Sequence, residues 1–324
     1  MLSSTINMFD ELISRTYVSL FEEKNSLITF LFHVIFNDNN EIKQNVVDPQ
    51  QTITKNKFRQ FIEYYLEHNY TFVSPEDILT GLENSKKYIL VTFDDGYYNN
   101  HIALSILKEY RLSATFFISA NHIAENKCFW WDVIYRERIK RNATTDQINN
   151  EFIALKQKKN DAIEEYIIDT FGEKALRPIG DIDRPFTPSE LKSFSTEPFV
   201  SLGNHTSNHA ILTNYPHSEI KSEIVNSQNY IFSITGITPI IISYPNGNYS
   251  EEILTISKEI GLKLGITVNE HKNYLPINLQ GIDPLLLNRY MVWGNREVKK
   301  QCACFRSDIQ LKDTIVSLIK RRSK

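Results

Sequence analysis

Tyr88-Ile89-Leu90-Val91-Thr92-Phe93-Asp94-Asp95-Gly96 runs from six strand-forming residues straight into two carboxylates and a glycine. A short, nearly continuous apolar run reads as a strand buried on both faces, and such strands belong to parallel sheets covered by helices. Carboxylates at the carboxyl end of a parallel strand stand where α/β proteins place their sites. Neighbouring residues leaving a strand point in different directions, so one carboxylate can face a metal and the other the water which that metal binds. Asp-Asp-Gly is also a common solvated turn, so the pair alone does not decide function.

Similar runs at 27–35, 114–119, 199–202, 240–244, 263–268 and 289–293 predict further strands. Between them, Phe58, Phe61, Ile62, Tyr65 and Leu66 recur at helical spacing after Thr54, a residue suited to capping. Ser74-Pro75 predicts a helix start, and helices are expected over 98–110, 217–233 and 251–260, the last closed by Gly261. About seven strands alternating with helices predict an α/β fold, an incomplete, distorted (β/α) barrel in preference to a doubly wound sheet. Periodicity alone suits both. Segment 122–198 breaks the alternation: it opens on Phe129-Trp130-Trp131-Asp132, continues helically, and ends in a proline-bearing run at 183–188. It reads as a helical insertion within a single domain spanning 1–324, with a helical tail over about 305–324.

The 324 residues, 41% hydrophobic and 12% aromatic, suffice for a large core. A net charge of −3 gives no general attraction to nucleic acid, which is not an expected partner. Cys128, Cys302 and Cys304 lack the spacing of a disulfide framework and suit a reducing compartment. The first residues carry acids and no apolar signal core, and the run 26–36 is too short to span a bilayer, so a cytoplasmic protein is expected. The tail sets Ile309, Leu311, Ile315, Val316, Leu318 and Ile319 before Lys320-Arg321-Arg322-Ser323-Lys324, a pattern suited to weak peripheral contact with anionic lipid, or simply to a helix packed on the barrel.

A second constellation follows the run 199–202: Gly203-Asn204-His205-Thr206-Ser207-Asn208-His209. Histidines four apart, on a helical turn or a loop closing like one, project to one side and can share a cation. With Asp95 they make a two-histidine, one-carboxylate set with positions left open for water and substrate. Zn²⁺ is the simplest occupant, and Fe²⁺, Co²⁺ or Ni²⁺ suit the same donors.

The runs Val91-Thr92-Phe93-Asp94-Asp95-Gly96 and His205-Thr206-Ser207-Asn208-His209 resemble the first two motifs of the polysaccharide deacetylases, the NodB-like carbohydrate esterases of family 4. That resemblance implies that Asp94 is the general base, that Asp95, His205 and His209 hold the metal, and that Thr206 braces the histidine loop. Ile242-Ser243-Tyr244-Pro245-Asn246-Gly247 resembles the third motif, with two departures. Ser243 stands where many members carry an arginine that holds the catalytic aspartate, and Asn246 stands where they carry an aromatic residue. Tyr244, Pro245, Asn246 and Gly247 are the implied substrate-binding loop, its amides serving as oxyanion donors. Arg289 is the candidate replacement anchor, or an ordinary salt bridge at the rim.

Leu31-Phe32-His33-Val34-Ile35 resembles a Tyr-His element near the start of some members. The family's late leaving-group histidine is missing, since none follows His271. His33 is therefore the candidate general acid and His271 the second choice, although a lone histidine in an apolar strand is often a core residue. Trp130, Trp131, Tyr244 and Trp293 are candidate groove walls, with core packing as the alternative for each. The resemblance covers about 27–120 and 196–293. It implies a metal-dependent hydrolase removing an acetyl or formyl group from the nitrogen of an amino sugar in a surface-glycan precursor. A catalytically inactive carbohydrate-binding relative is expected to lack Asp94 or a histidine, and an iron oxygenase needs no second carboxylate. Both rivals fit the sequence less well.

Overall fold

A computed structural model describes residues 2–309 of the protein. Its strands are β1 (Ser26–Phe32), β2 (Thr71–Phe72), β3 (Tyr88–Phe93), β4 (Ala114–Ile118), β5 (Val200–Asn204), β6 (Ile241–Ser243), β7 (Leu264–Ile266), β8 (Asn273–Tyr274) and β9 (Tyr290–Met291). They form one sheet in the order β7-β6-β5-β4-β3-β1-β8, with β2 beside β3 and β9 beside β1. Every pairing is parallel except that of β1 with β8. Leu287 hydrogen-bonds on both sides to β7, through Gly265 O and Thr267 N at 2.9 Å each, and the chain then runs into β9 against β1. The sheet thus curls into a distorted, incomplete (β/α) barrel, its ends joined by the short segment 287–291 where a full strand would otherwise stand.

Alternation along the strands separates two apolar layers. Ile28, Phe30 and Phe32 of β1, with Ile89, Val91 and Phe93 of β3, pack outward on Phe58, Phe61 and Ile62 of the helix Lys55–Glu67. Leu27, Leu90, Phe117, Leu264 and Ile266 fill the other side. Burying each such side chain contributes about 1.5–3 kcal/mol. Thr54 caps the helix Lys55–Glu67 through Lys57 N, and Ser74 forms a reciprocal capping box with Asp77 ahead of Pro75–Thr80. Each such cap is worth about 1 kcal/mol.

Several expected strands are shorter than their apolar runs. β1 stops at Phe32, because Val34 and Phe36 bury themselves against the helical insertion instead. β9 keeps only Tyr290–Met291, which leaves Arg289 just before it and Trp293 beyond it. The two-residue strands β2 and β8 gave no periodic signal. Segment 122–198 contains no strand and includes the helices Trp130–Lys140, Thr145–Leu155, Asn160–Phe171 and Pro188–Ser195. Its own cluster of Phe129, Trp131, Val133, Ile134, Leu155 and Ile163 joins the barrel rim through Tyr97, Val34 and Phe36.

The N-terminal helix Leu2–Leu20 packs on Val298–Arg306, a helix absent from the sequence reading. Cys302 and Cys304 lie on the latter, with Cys302 fully buried. The expected tail lies almost wholly outside the described residues. No helix among the described residues is long and apolar enough to cross a membrane.

Candidate active site

β1 and β3 run in register with Phe32 opposite Phe93, so His33 and Asp94 leave the sheet side by side at its carboxyl rim. Asp94 shares the parity of Leu90 and Thr92 along β3, and this brings its carboxylate to the barrel mouth. There Arg289 grips it with two parallel bonds, Nη1 donating to Oδ1 at 2.7 Å and Nη2 to Oδ2 at 2.8 Å. Ser243 Oγ donates to Oδ2 at 3.0 Å, while the same guanidinium also donates to Thr92 Oγ1 and Ser243 Oγ. Burial alone would raise the Asp94 pKa, but the charge of Arg289 and then that of His205 reverse the effect and bring it to about 2. Ser243 and Arg289 therefore meet on one carboxylate from opposite ends of the curled sheet.

The next residue takes a different course. Asp95 adopts a left-handed backbone (φ 77°), followed by Gly96 (φ 87°), where an added Cβ would press on Ile118 Cδ1 at 3.2 Å. The turn sends the Asp95 carboxylate toward the loop after β5. His205 Nε2 approaches Asp95 Oδ1 to 3.3 Å and His209 Nε2 to 3.4 Å, yet neither approach is aligned as a hydrogen bond, and both carboxylate oxygens are buried without a donor.

Residues 205–209 form a loop and not the helical turn that their spacing permits, with Thr206 (φ 62°) and His209 (φ 51°) also left-handed. Thr206 Oγ1 accepts from Ala210 N at 2.7 Å and closes the loop. His205 Nδ1 donates to the Ser243 carbonyl at 2.8 Å, so its Nε2 carries the free lone pair in the neutral ring. Burial disfavours a charged His205, but Asp94 and Asp95 outweigh it and raise the pKa. Burial, with His205 next, holds the His209 pKa well below the usual value.

These groups floor a cleft of about 370 Å³. Leu31, His33, Tyr244, Asn246, Gly247, Arg289 and Trp293 line it from the barrel, and Trp130, Trp131, Phe152 and Lys156 from the insertion. The Trp131 ring lies 4.5 Å from that of His209, and its Nε1 donates to Tyr97 Oη. Tyr97 Oη donates in turn to the buried Asp132, which also accepts from Asp48 N. The insertion is thereby tied to the loop 48–51.

Gln51 in that loop carries no recognisable motif. Its Nε2 donates to the carbonyls of Leu31 and Val292, which fixes the amide so that Oε1 accepts from His33 Nδ1 at 2.9 Å. His33 Nε2 makes no hydrogen bond among the described residues. Asp48 lines the cleft as well. Burial raises its pKa, while the amide of Gln50 and then the charges of His33 and Lys156 pull it back.

Two expectations meet the structure differently. Tyr244 touches the cleft only from behind, since its side chain is buried with Ile242 and Ile253 and has no exposed ring face for a sugar. His271 is not among the residues lining the cleft. In the loop at 244–247, Tyr244 N donates to Ile266 O and Gly247 N to Tyr244 O, and Pro245 has no N–H, so most of the expected amide donors are already committed.

The sequence profile of the polysaccharide deacetylases matches residues 81–265. The YxkH protein of Bacillus subtilis (strain 168), assigned by name to the same group, is 22% identical over 220 residues, 66% of this chain, and the chain spans only 58% of that relative's length. Among solved structures, the Streptococcus pyogenes deacetylase PplD in complex with acetate superposes with a TM-score of 0.60 at 20% identity, covering 87% of this chain and 99% of its own. IcaB from Ammonifex degensii gives 0.57 at 14% identity over 88% and 98%. A de-N-acetylase from Aggregatibacter actinomycetemcomitans gives 0.55 at 16% identity over 86% and 100%. At these identities the superpositions establish a shared fold, and the profile match over more than half the chain establishes kinship: the chain belongs to the polysaccharide deacetylase family.

Proposed function

We propose that the protein is a metal-dependent hydrolase that removes an N-acyl group, acetyl or formyl, from an amino sugar of a surface-glycan precursor. The observation that carries this reading is the pair of adjacent aspartates in opposite environments, Asp94 gripped by Arg289 and Asp95 buried with both oxygens unpartnered. A buried carboxylate in that state is costly. The donor atoms of Asp95, His205 and His209 all lie within 4.8 Å of one another, so a cation among them relieves the cost, and the residues fit a divalent metal.

Such an ion, Zn²⁺ first and Co²⁺, Ni²⁺ or Fe²⁺ by the same donors, supplies the Lewis acidity that acidifies a water and polarises an amide carbonyl. Asp94 takes the proton of the attacking water, its two oxygens held in place by Arg289 and Ser243. Asn246 N–H, left over by the bonds of its turn, donates to the developing oxyanion, and Pro245 and Gly247 shape that turn. His33, held at Nδ1 by Gln51, delivers a proton from Nε2 to the departing sugar nitrogen. Water and amide thus become carboxylate and amine. Trp131 offers an apolar wall for the sugar.

The test is mass spectrometry of products from a panel of N-acetyl and N-formyl sugar conjugates, with and without chelator. Loss of one acyl mass, abolished by chelation and restored by zinc or cobalt, is expected. Full turnover by rigorously metal-free protein refutes the reading.

A further inference from the structure

One wall of the cleft carries charge that the proposed reaction leaves unused. Lys156 follows the insertion helix Thr145–Leu155, and its backbone is fixed on both sides: its N donates to Phe152 O at 2.9 Å and its carbonyl accepts from Asn214 Nδ2 at 2.9 Å. The half-buried side chain lines the cleft, yet the ammonium has no hydrogen bond or ion pair among the described residues. Asp48, the acidic group facing it, lies beyond ion-pair distance and accepts from Gln50 N at 3.2 Å. Elsewhere in the cleft Asp94 is matched by Arg289. Beside Lys156 stand Phe152 and Trp130, their rings edge to face at 5.6 Å. An apolar wall bordered by an unpaired cation on a fixed backbone suits a sugar whose substituent is an anion, because a charge-assisted bond gains strength where water is scarce.

We propose that Lys156 is the anchor of an acidic subsite, holding a carboxylate or phosphate carried next to the N-acylated sugar, and that the insertion thereby selects acidic over neutral glycans. The proposal rests on reading the cleft as a sugar groove. Its ligand is an oxyanion, supplied either by a uronic acid or by the phosphate of an activated sugar. Asp48 works against it: its charge at the same end of the cleft weakens anion binding.

The test is isothermal titration calorimetry of the full zinc-loaded chain with three probes: chitotetraose as the neutral arm, hyaluronan tetrasaccharide as the carboxylate arm and UDP-N-acetylglucosamine as the phosphate arm. Wild type is expected to bind at least one acidic probe more tightly than chitotetraose, and whichever acidic probe wins names the source. K156M should weaken that probe by about tenfold or more, the loss expected for a hydrogen bond to a charged group, while leaving chitotetraose within about twofold. K156R should retain most of the affinity, and D48N should increase it. Acidic probes bound no better than chitotetraose, equal losses on neutral and acidic probes in K156M, or no binding of any probe overturns the subsite. Calorimetry does not require turnover. A chain that binds an acidic probe through Lys156 but releases no acyl group keeps the subsite and removes the deacylase reading, and the converse result removes only the subsite.

Discussion

Replacing Arg289 with methionine separates a positioning role from a merely structural one. Arg289 is 2% exposed, and its guanidinium makes two bonds to Asp94, one to Thr92 and one to Ser243. Deleting one partner of a buried pair costs about 3–5 kcal/mol, and because Ser243 Oγ still donates to Asp94 Oδ2 the lower end is expected, roughly 3 kcal/mol. For a chain of this size that is a fall of roughly 4 °C in Tm. The catalytic loss should be larger: with Asp94 Oδ1 left without its partner and Oδ2 held by Ser243 alone, general-base assistance worth about 10²- to 10⁴-fold in rate is at risk. The sign of the pH effect follows from its causes. Burial raises the Asp94 pKa and Arg289 is the largest influence opposing it, so removing Arg289 must move the pKa up from about 2. The acidic limb of the rate profile should move up with it. R289K, which keeps the charge but loses the planar fork, should fall between wild type and R289M. Steady-state kinetics across pH, beside thermal unfolding and metal content, measure all of this. If R289M melts several degrees lower but keeps wild-type kcat and an unmoved acidic limb, Arg289 is only a structural ion pair and the reasoning fails.

The adjacent aspartates should separate by role: D95N should lose bound metal by elemental analysis, whereas D94N should keep it and lose about 10²-fold or more in rate. Equal metal loss in both means the assignment is wrong. H33Q should slow the amide far more than an activated ester, whose leaving group needs little protonation, and equal impairment on both returns His33 to a packing role. Q51L, which removes the acceptor of His33 Nδ1, should reproduce part of that selective defect. Far from the cleft, Glu23 is buried, and hydrogen bonds from Arg306, Tyr70 and Lys87 outweigh the effect of burial and lower its pKa. Its contribution is therefore complete above the ordinary glutamate pKa, about 4.3, and fades as pH falls through the lower folded value. R306M should cost about 3 kcal/mol, the lower end for a broken buried pair because Lys87 still meets Glu23 at 2.9 Å, and E23Q/R306M less, since the buried group that has lost its guanidinium is then neutral. A double variant less stable than R306M in urea titrations contradicts this.

Local motifs were legible wherever one short stretch carries both the strand and its functional end. Tyr88–Phe93 begins and ends where its apolar run does, because the turn chemistry of Asp94, Asp95 and Gly96 terminates it. The apolar run 27–35 extends past the end of β1 because residues that pack against a helical insertion are as apolar as residues that pack inside a barrel. Gln51 was invisible for a different reason. A single glutamine in a loop has no pattern, and its value comes from two carbonyls, Leu31 O and Val292 O, that fold in from strands distant in sequence.

Ser243 and Arg289 show how a departure from a motif is resolved in space. Ser243 lies on β6 and Arg289 just before β9, 46 residues apart, and only the bridge from Leu287 to β7 draws the second segment across the mouth of the barrel. A guanidinium delivered from there meets the Asp94 carboxylate side-on, and the serine fills the remaining space with a hydroxyl that donates to Oδ2 while accepting from Nη2. As the base of the proposed reaction, Asp94 needs a fixed positive fork, whichever strand supplies it. A linear motif records which strand supplied the group in other chains, and only the closure of the sheet shows that this chain supplies it from elsewhere.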